Sequence, residues 1–167
     1  LKKEKKIGLF GSGAVCTIKG GTGSGDVNSR EVVSVYQGMT KEGFQITSEA
    51  WLNDYEERYK KARQKWRSLI LEKTEKAGTS HFFDVYVAHP FQMPEGRKIV
   101  REDLEGTKTA VYVISRNAGE GDDRLAEPGD YYLSFLEKAE LQVLSDLCEN
   151  LIILINSGAQ IDLEELL

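Results

Sequence analysis

Thr109-Ala110-Val111-Tyr112-Val113-Ile114-Ser115-Arg116 is an unbroken apolar, β-branched run that ends just before Asn117, Gly119 and Gly121. Polar and apolar residues do not alternate along it, so a strand formed here must be covered on both faces, as in a parallel sheet. Lys6-Ile7-Gly8-Leu9-Phe10-Gly11 has the same form, and Leu151-Ile152-Ile153-Leu154-Ile155-Asn156-Ser157-Gly158 repeats it near the end. Between these runs the pattern turns helical. One helix is expected from about Ser29 to Gln37, a long one behind an N-cap at Ser48 through about Lys76, and a third behind Ser134 from about Phe135 to Asn150. Strand alternating with helix predicts an α/β three-layer sandwich, a mostly parallel sheet with helices on both faces. Ligands of such sheets sit beyond the C-terminal ends of the strands, which directs attention to the loops after Gly11 and after Ser115.

The 167 residues, 40% of them hydrophobic, suit a single globular domain spanning 1–167. A net charge of −5 disfavours nucleic acid and anionic membrane surfaces as partners and is compatible with a neutral ligand. No apolar run approaches the ~20 residues of a membrane span, and the basic start at Lys2-Lys3-Glu4-Lys5-Lys6 is not a signal peptide. Cys16 and Cys148 give neither a disulfide framework nor a metal spacing; they read as reduced, buried thiols and point to a cytoplasmic location. The start at Leu1 and the amphipathic, uncapped stretch from Ile161 to Leu167 read as cuts from a longer chain.

Trp51, Leu52, Tyr55, Tyr59, Ala62, Trp66, Leu69 and Ile70 recur at helical spacing along the long helix and form its core face. The stretch from Gly78 to Gly96 reads as a local excursion with a strand-like centre at Phe82-Phe83-Asp84-Val85-Tyr86-Val87. It holds both histidines, His81 and His89. With no third histidine they read as exposed or internally satisfied rather than as metal ligands, and no metal site is expected.

The first loop, Lys19-Gly20-Gly21-Thr22-Gly23-Ser24-Gly25-Asp26, lets backbone approach a ligand closely. A phosphate- or nucleotide-binding α/β module using this loop is the alternative reading. Against it, the only Lys precedes the glycines, Asp26 follows them, and Gly11-Ser12-Gly13 lacks a third Gly in register. Asp26 suits hydroxyls or an Arg such as Arg30. The second loop, Ser115-Arg116-Asn117-Ala118-Gly119-Glu120-Gly121-Asp122-Asp123-Arg124, sets Glu120 between two glycines just past a core strand. Such a carboxyl suits general acid chemistry across a domain boundary, and equally a solvated acidic turn; spacing does not choose.

Together these two loops resemble the C-terminal α/β sandwich domain of family 3 glycoside hydrolases. The likeness extends to Gly129-Asp130-Tyr131-Tyr132-Leu133-Ser134 and to Asn156-Ser157-Gly158, and leaves only 78–96 unexplained. It departs at Ala118, where many members of that family carry Ser. The resemblance implies a cofactor-free, retaining β-glucosidase acting on terminal β-D-glucosides or oligosaccharides, with Glu120 as acid/base and Ser24 as a sugar contact. Gly23, Gly25, Lys19 and Asp26 would shape the substrate loop, and Arg30, Arg116, Asp123 and Arg124 would orient the loops. It further implies a nucleophilic Asp on an N-terminal (β/α)8 barrel absent from this chain, so that the piece alone is inactive.

Overall fold

The computed structural model describes residues 5–20, 32–117 and 125–166. Strands β1 (Lys6–Phe10), β2 (Gln45–Ile46), β3 (Thr109–Arg116) and β4 (Asn150–Ser157) form a parallel sheet in the order β2-β1-β3-β4. Helices α1 (Val35–Lys41), α2 (Glu49–Ala77), α3 (Phe82–Ala88) and α4 (Phe135–Leu147) alternate with them. The α/β fold expected from the three apolar runs is the fold observed.

β3 is the centre of the molecule. It pairs with β1 through Gly8↔Ala110 to Phe10↔Tyr112, pairs with β4 along its whole length, and buries all eight of its residues. Registered neighbours in a parallel sheet share a face. Phe10 meets Trp51 of α2 edge-on at 5.6 Å, and its register partner Tyr112 donates to Glu140 of α4. α2 and α4 therefore cover the same face. β1 to β2 runs in the opposite direction across the sheet, and the right-handed crossover rule sends α1 to the other face.

β2 was not visible as a run in the sequence because it has only two residues. Its ladder against β1 is completed by other groups. Thr47 N–H donates to the Ile7 carbonyl at 2.9 Å, and the buried Ser48 hydroxyl accepts from Leu9 N–H at 2.8 Å and donates to the Leu9 carbonyl at 2.6 Å. Ser48 stands at the N-cap of α2 as expected, yet its side chain makes no cap bond. It serves the sheet instead.

Three local expectations need correction. The helix expected from about Ser29 begins at Val35 and runs on to Lys41, because Ser34 and Gln37 form a capping box that fixes the start. The helix after Ser134 ends at Leu147, and Glu149 and Asn150 turn their N–H groups to the Lys108 carbonyl to begin β4. The strand-like Phe82–Val87 segment is helical. Its Tyr86 packs on α2, 5.4 Å from Trp66, while Trp66 Nε1 donates to the His89 carbonyl at 2.7 Å; tertiary packing overrides β-propensity here. The excursion returns at Gly96, where a Cβ would stand 2.5 Å from the Trp51 ring.

The aromatic stripe of α2 divides accordingly. Trp51, Leu52, Tyr55 and Ile70 are core, Tyr59 and Trp66 pack with Phe91 of the excursion, and Leu69 is exposed. Both cysteines are free and half-buried rather than fully enclosed. His81 pairs with Asp84 and His89 with the Val85 carbonyl, as satisfied histidines should. Among the described residues no helix is long and apolar enough to cross a membrane, and no group of His, Cys, Asp or Glu could hold a metal.

Removing the Ser48 hydroxyl strands both polar groups of Leu9 inside the core. Ser48→Ala should lower the unfolding free energy by roughly 2–4 kcal/mol in urea denaturation, since each orphaned buried group costs about 1–3 kcal/mol. Ser134→Ala, which removes one N-cap bond at a partly exposed helix start, should cost only about 1 kcal/mol in the same titration.

Candidate active site at the strand switch point

From β1 the chain moves to β2 on one side, then crosses to β3 on the other, so the order of strands reverses between β1 and β3. Loops leaving adjacent strands at such a point diverge and leave a crevice. A cleft of about 1400 Å³ lies there, lined on one side by 15–20 after β1 and on the other by 115–117 at the end of β3. It continues along α2 past Tyr59 to Trp66 and Phe91.

The turn that leaves β1 lies against β3. Gly11 adopts φ +90°, where a Cβ would come within 2.4 Å of the Val113 carbonyl, and a Cβ on Gly13 would meet the Ser115 hydroxyl at 2.4 Å. Gly13 N–H donates to the Val113 carbonyl at 3.1 Å. Close strand packing, rather than phosphate approach, accounts for Gly11-Ser12-Gly13.

The start of α1, where a phosphate would have to sit, offers no free donor among the described groups. Val35 N–H donates to Thr17 Oγ1, Tyr36 N–H to the Ala14 carbonyl, and Gln37 N–H to Ser34 Oγ. The same Thr17 hydroxyl donates to the Gly13 carbonyl at 2.6 Å. α1 therefore gives a phosphate no open terminus, while the Gly-rich loop of the nucleotide reading lies, from 21 on, outside the described residues.

Alternation along β3 splits its last two side chains between the two faces of the sheet. Arg116 turns to α4 and makes a bidentate pair with Glu137 at 2.7 and 2.6 Å, its own side chain buried and that of Glu137 partly so. Its Nε donates to the Asp130 carbonyl at 2.9 Å, and Asp130 Oδ2 accepts from Leu125 N–H at 2.8 Å. Arg116 is thereby linked through Asp130 to Leu125. Ser115 turns the other way and donates to Asn156 Oδ1 at 2.8 Å.

Lys19 lies at the cleft rim on the described stem of the first loop. Glu120, Ser24, Gly23, Gly25, Asp26, Arg30, Asp123 and Arg124 lie outside the described residues. What the structure places is therefore the pair of stems that carry them, one on each side of the switch point.

Beneath the cleft, between α2, β3 and α4, lies a buried polar cluster that the sequence reading missed. Glu140 is 5% exposed and accepts from the Tyr112 hydroxyl at 2.5 Å through Oε2, while Oε1 and the Tyr55 hydroxyl have no partner among the described residues. Burial pushes the Glu140 carboxyl up to about 7, with Glu137 and Glu95 adding repulsion and the Tyr112 bond opposing. Burial likewise raises Tyr112 and Tyr55, and pushes the Cys16 thiol up to about 12, so that Cys16 is no nucleophile at neutral pH. Glu140 shares a helical face with Leu141 and Leu144, a position where the heptad pattern calls for an apolar residue.

The glycosyl hydrolase family 3 C-terminal domain model matches residues 1–167. The chain belongs to this family. Beta-glucosidase of Ruminococcus albus is 26% identical over 164 residues, covering 98% of this chain and 16% of its own length. Beta-glucosidase A of Butyrivibrio fibrisolvens is 24% identical over 194 residues, covering 97% and 20%. Among solved structures, beta-glucosidase 3B of Thermotoga neapolitana, in complex with glycerol, superposes with a TM-score of 0.71 at 31% identity, over 99% of this chain and 22% of that one. The chain thus spans a minor part of each curated relative it matches, 16% of one and 20% of the other.

A carboxyl raised by burial stabilises the fold most when it is protonated in both states. In this family 3 domain the contribution of Glu140 is fully present below the ordinary carboxyl value of 4.5 and is lost as pH rises through about 7. Glu140→Gln should therefore gain on the parent sequence by roughly 3 kcal/mol between pH 4 and pH 8 in denaturant titrations at the two pH values.

Proposed function

We propose that this family 3 domain supplies the acid/base carboxylate, Glu120, to a retaining β-glucosidase whose nucleophilic Asp stands on a separate (β/α)8 barrel domain. The observation that carries the reading is the meeting of the two loop stems at the switch point, in a chain whose full length matches the family. The Glu120 loop leaves β3 directly, between Arg116 and Leu125, and both of those ends are anchored.

Two carboxyls about 5–5.5 Å apart define the retaining geometry. The barrel Asp attacks the anomeric carbon while Glu120 gives its proton to the departing glycosidic oxygen. Glu120, now ionised, takes a proton from water as that water attacks the glycosyl-enzyme, and both carboxyls return to their starting states. Because the two groups belong to different domains, domain packing sets their separation, and this domain alone is expected not to turn over substrate.

Ser24, on the Gly-rich loop with Gly23, Gly25, Lys19 and Asp26, would contact hydroxyls of the terminal β-D-glucosyl residue. Arg30, Asp123 and Arg124 would hold loop shape. The acidic overall balance is consistent with a neutral sugar ligand.

Glu120→Ala in the full-length parent tests the reading, using aryl β-glucosides with good and poor leaving groups, each with and without azide. An acid matters most for a poor leaving group. That substrate should lose about 10²–10⁴-fold in rate while the activated one loses far less in its first step, and azide should restore turnover as β-glucosyl azide. Equal losses on both substrates, or none on either, would remove Glu120 from the chemistry.

A further inference from the structure

The stem of each proposed active-site loop is bound to a single side chain on the neighbouring strand. Asn156 of β4 lies in register with Ser115 of β3. Its Oδ1 accepts from Ile18 N–H at 2.7 Å and from the Ser115 hydroxyl at 2.8 Å, and its Nδ2 donates to the Ile18 carbonyl at 2.8 Å. Ile18 stands on the stem of the Gly-rich loop, and Ser115 stands on the stem of the Glu120 loop. The side-chain amide thus treats Ile18 as a neighbouring strand would, across 138 residues of sequence. The orientation of the amide is fixed, because Ile18 N–H requires an acceptor and the Ile18 carbonyl requires a donor.

Among the described residues no regular strand pairing holds 17–19, which lead from the turn after β1 into the Gly-rich loop. Thr17 is tied to α1 and to the Gly13 carbonyl, so the segment is anchored at Thr17 by one hydroxyl and at Ile18 by Asn156. Only the second anchor also grips β3.

We propose that Asn156 is a positioning residue that sets the distance between the Gly-rich loop and the Glu120 loop, without touching substrate itself. The inference rests on the function proposed above for those loops. Losing the amide frees Ile18 and leaves Ser115 without its acceptor, so the first stem beyond Gly13, which stays bonded to Val113, loses its own tie to the second. A shift of about 1 Å in a catalytic group suffices to cost ~10²-fold in rate.

The test uses the full-length parent enzyme and 4-nitrophenyl β-glucoside. Asn156→Ala should lower kcat by roughly 10–100-fold with KM changed by less than about threefold, and hydrogen–deuterium exchange should rise in the segment 15–20. Asn156→Asp keeps the acceptor but sets an anionic oxygen against the Ile18 carbonyl; protonation restores the donor. Its rate relative to the unaltered enzyme should therefore climb as pH is lowered, a response that loss of packing alone would not give. Ser115→Ala should cost less than Asn156→Ala, and the double variant should be no worse than Asn156→Ala.

A kcat within about twofold of the unaltered enzyme in Asn156→Ala, despite faster exchange at 15–20, would overturn the positioning role. Unchanged exchange would overturn the clamp itself. A flat relative pH profile for Asn156→Asp would do the same for the hydrogen-bond account. Failure of the acid/base reading is read separately, from Glu120→Ala with azide, while exchange at 15–20 reports on the clamp whichever way that experiment falls.

Discussion

The constraint on which the rest of the structure depends is the position of β3. Its two edges are taken by β1 and β4, its two faces are covered, and all eight of its residues are buried. A strand enclosed in this way cannot shift without breaking ladder bonds on both sides at once, each group then left dry and unpaired. Its C-terminal end is therefore a firmly held place from which to launch a loop. The alternation of the strand then does something further, sending Arg116 to one face and Ser115 to the other. One anchors the loop to α4, and the other ties it to the loop of the neighbouring strand.

That rigidity is bought beside a polar weakness. Glu140, Tyr112 and Tyr55 put three polar groups in the space between α2, β3 and α4, and Glu140 Oε1 and the Tyr55 hydroxyl have no partner among the described residues. An apolar residue at 140 would pack on Leu141 and Leu144 without this cost. Glu137, one turn before Glu140, carries the opposite balance: its carboxylate meets Arg116 with two good bonds and also accepts from the Ser134 N–H in the α4 capping box. The same helix face therefore holds one fully satisfied carboxylate that organises the loop stem and one half-satisfied carboxyl whose neutral form the fold prefers.

The long elements were legible because burial on both faces writes itself as an apolar run: Thr109 to Arg116 matches β3 residue for residue, and Lys6 to Phe10 matches β1. β2 was not, since two residues carry no period and much of its ladder is supplied by Thr47 and by the side chain of Ser48. Phe82 to Val87 misled because aromatic and β-branched residues have strand propensity, and only the contact with Trp66 reveals the helix. At the site, the motifs located the loops but not their fastenings. Asn156 reads as the polar end of an apolar strand, and Glu140 as one more charge on an amphipathic helix, until the fold brings Ile18 and Tyr112 to them. Ser34 with Gln37 was a readable capping box, and it would have placed α1 correctly.

The division of labour between domains proposed above would explain why the fastenings take this form. When two reacting carboxyls stand on different domains, errors in placement add: one from the packing of the domains, one from each loop on its own scaffold. Domain packing is a contact between surfaces and tolerates slack. The remaining contribution can be reduced only within each domain, and here the stems of both loops are joined by short bonds to one amide and one guanidinium. Coupling the stems has a second effect. Ser115, Asn156 and Ile18 would pass any displacement of β3 on to the stem at Ile18, so that on the proposed reading the sugar-binding and proton-transferring loops would move as one body. Relative placement is what an acid needs with respect to the sugar whose oxygen it protonates, and a joint movement preserves it where independent anchors would not.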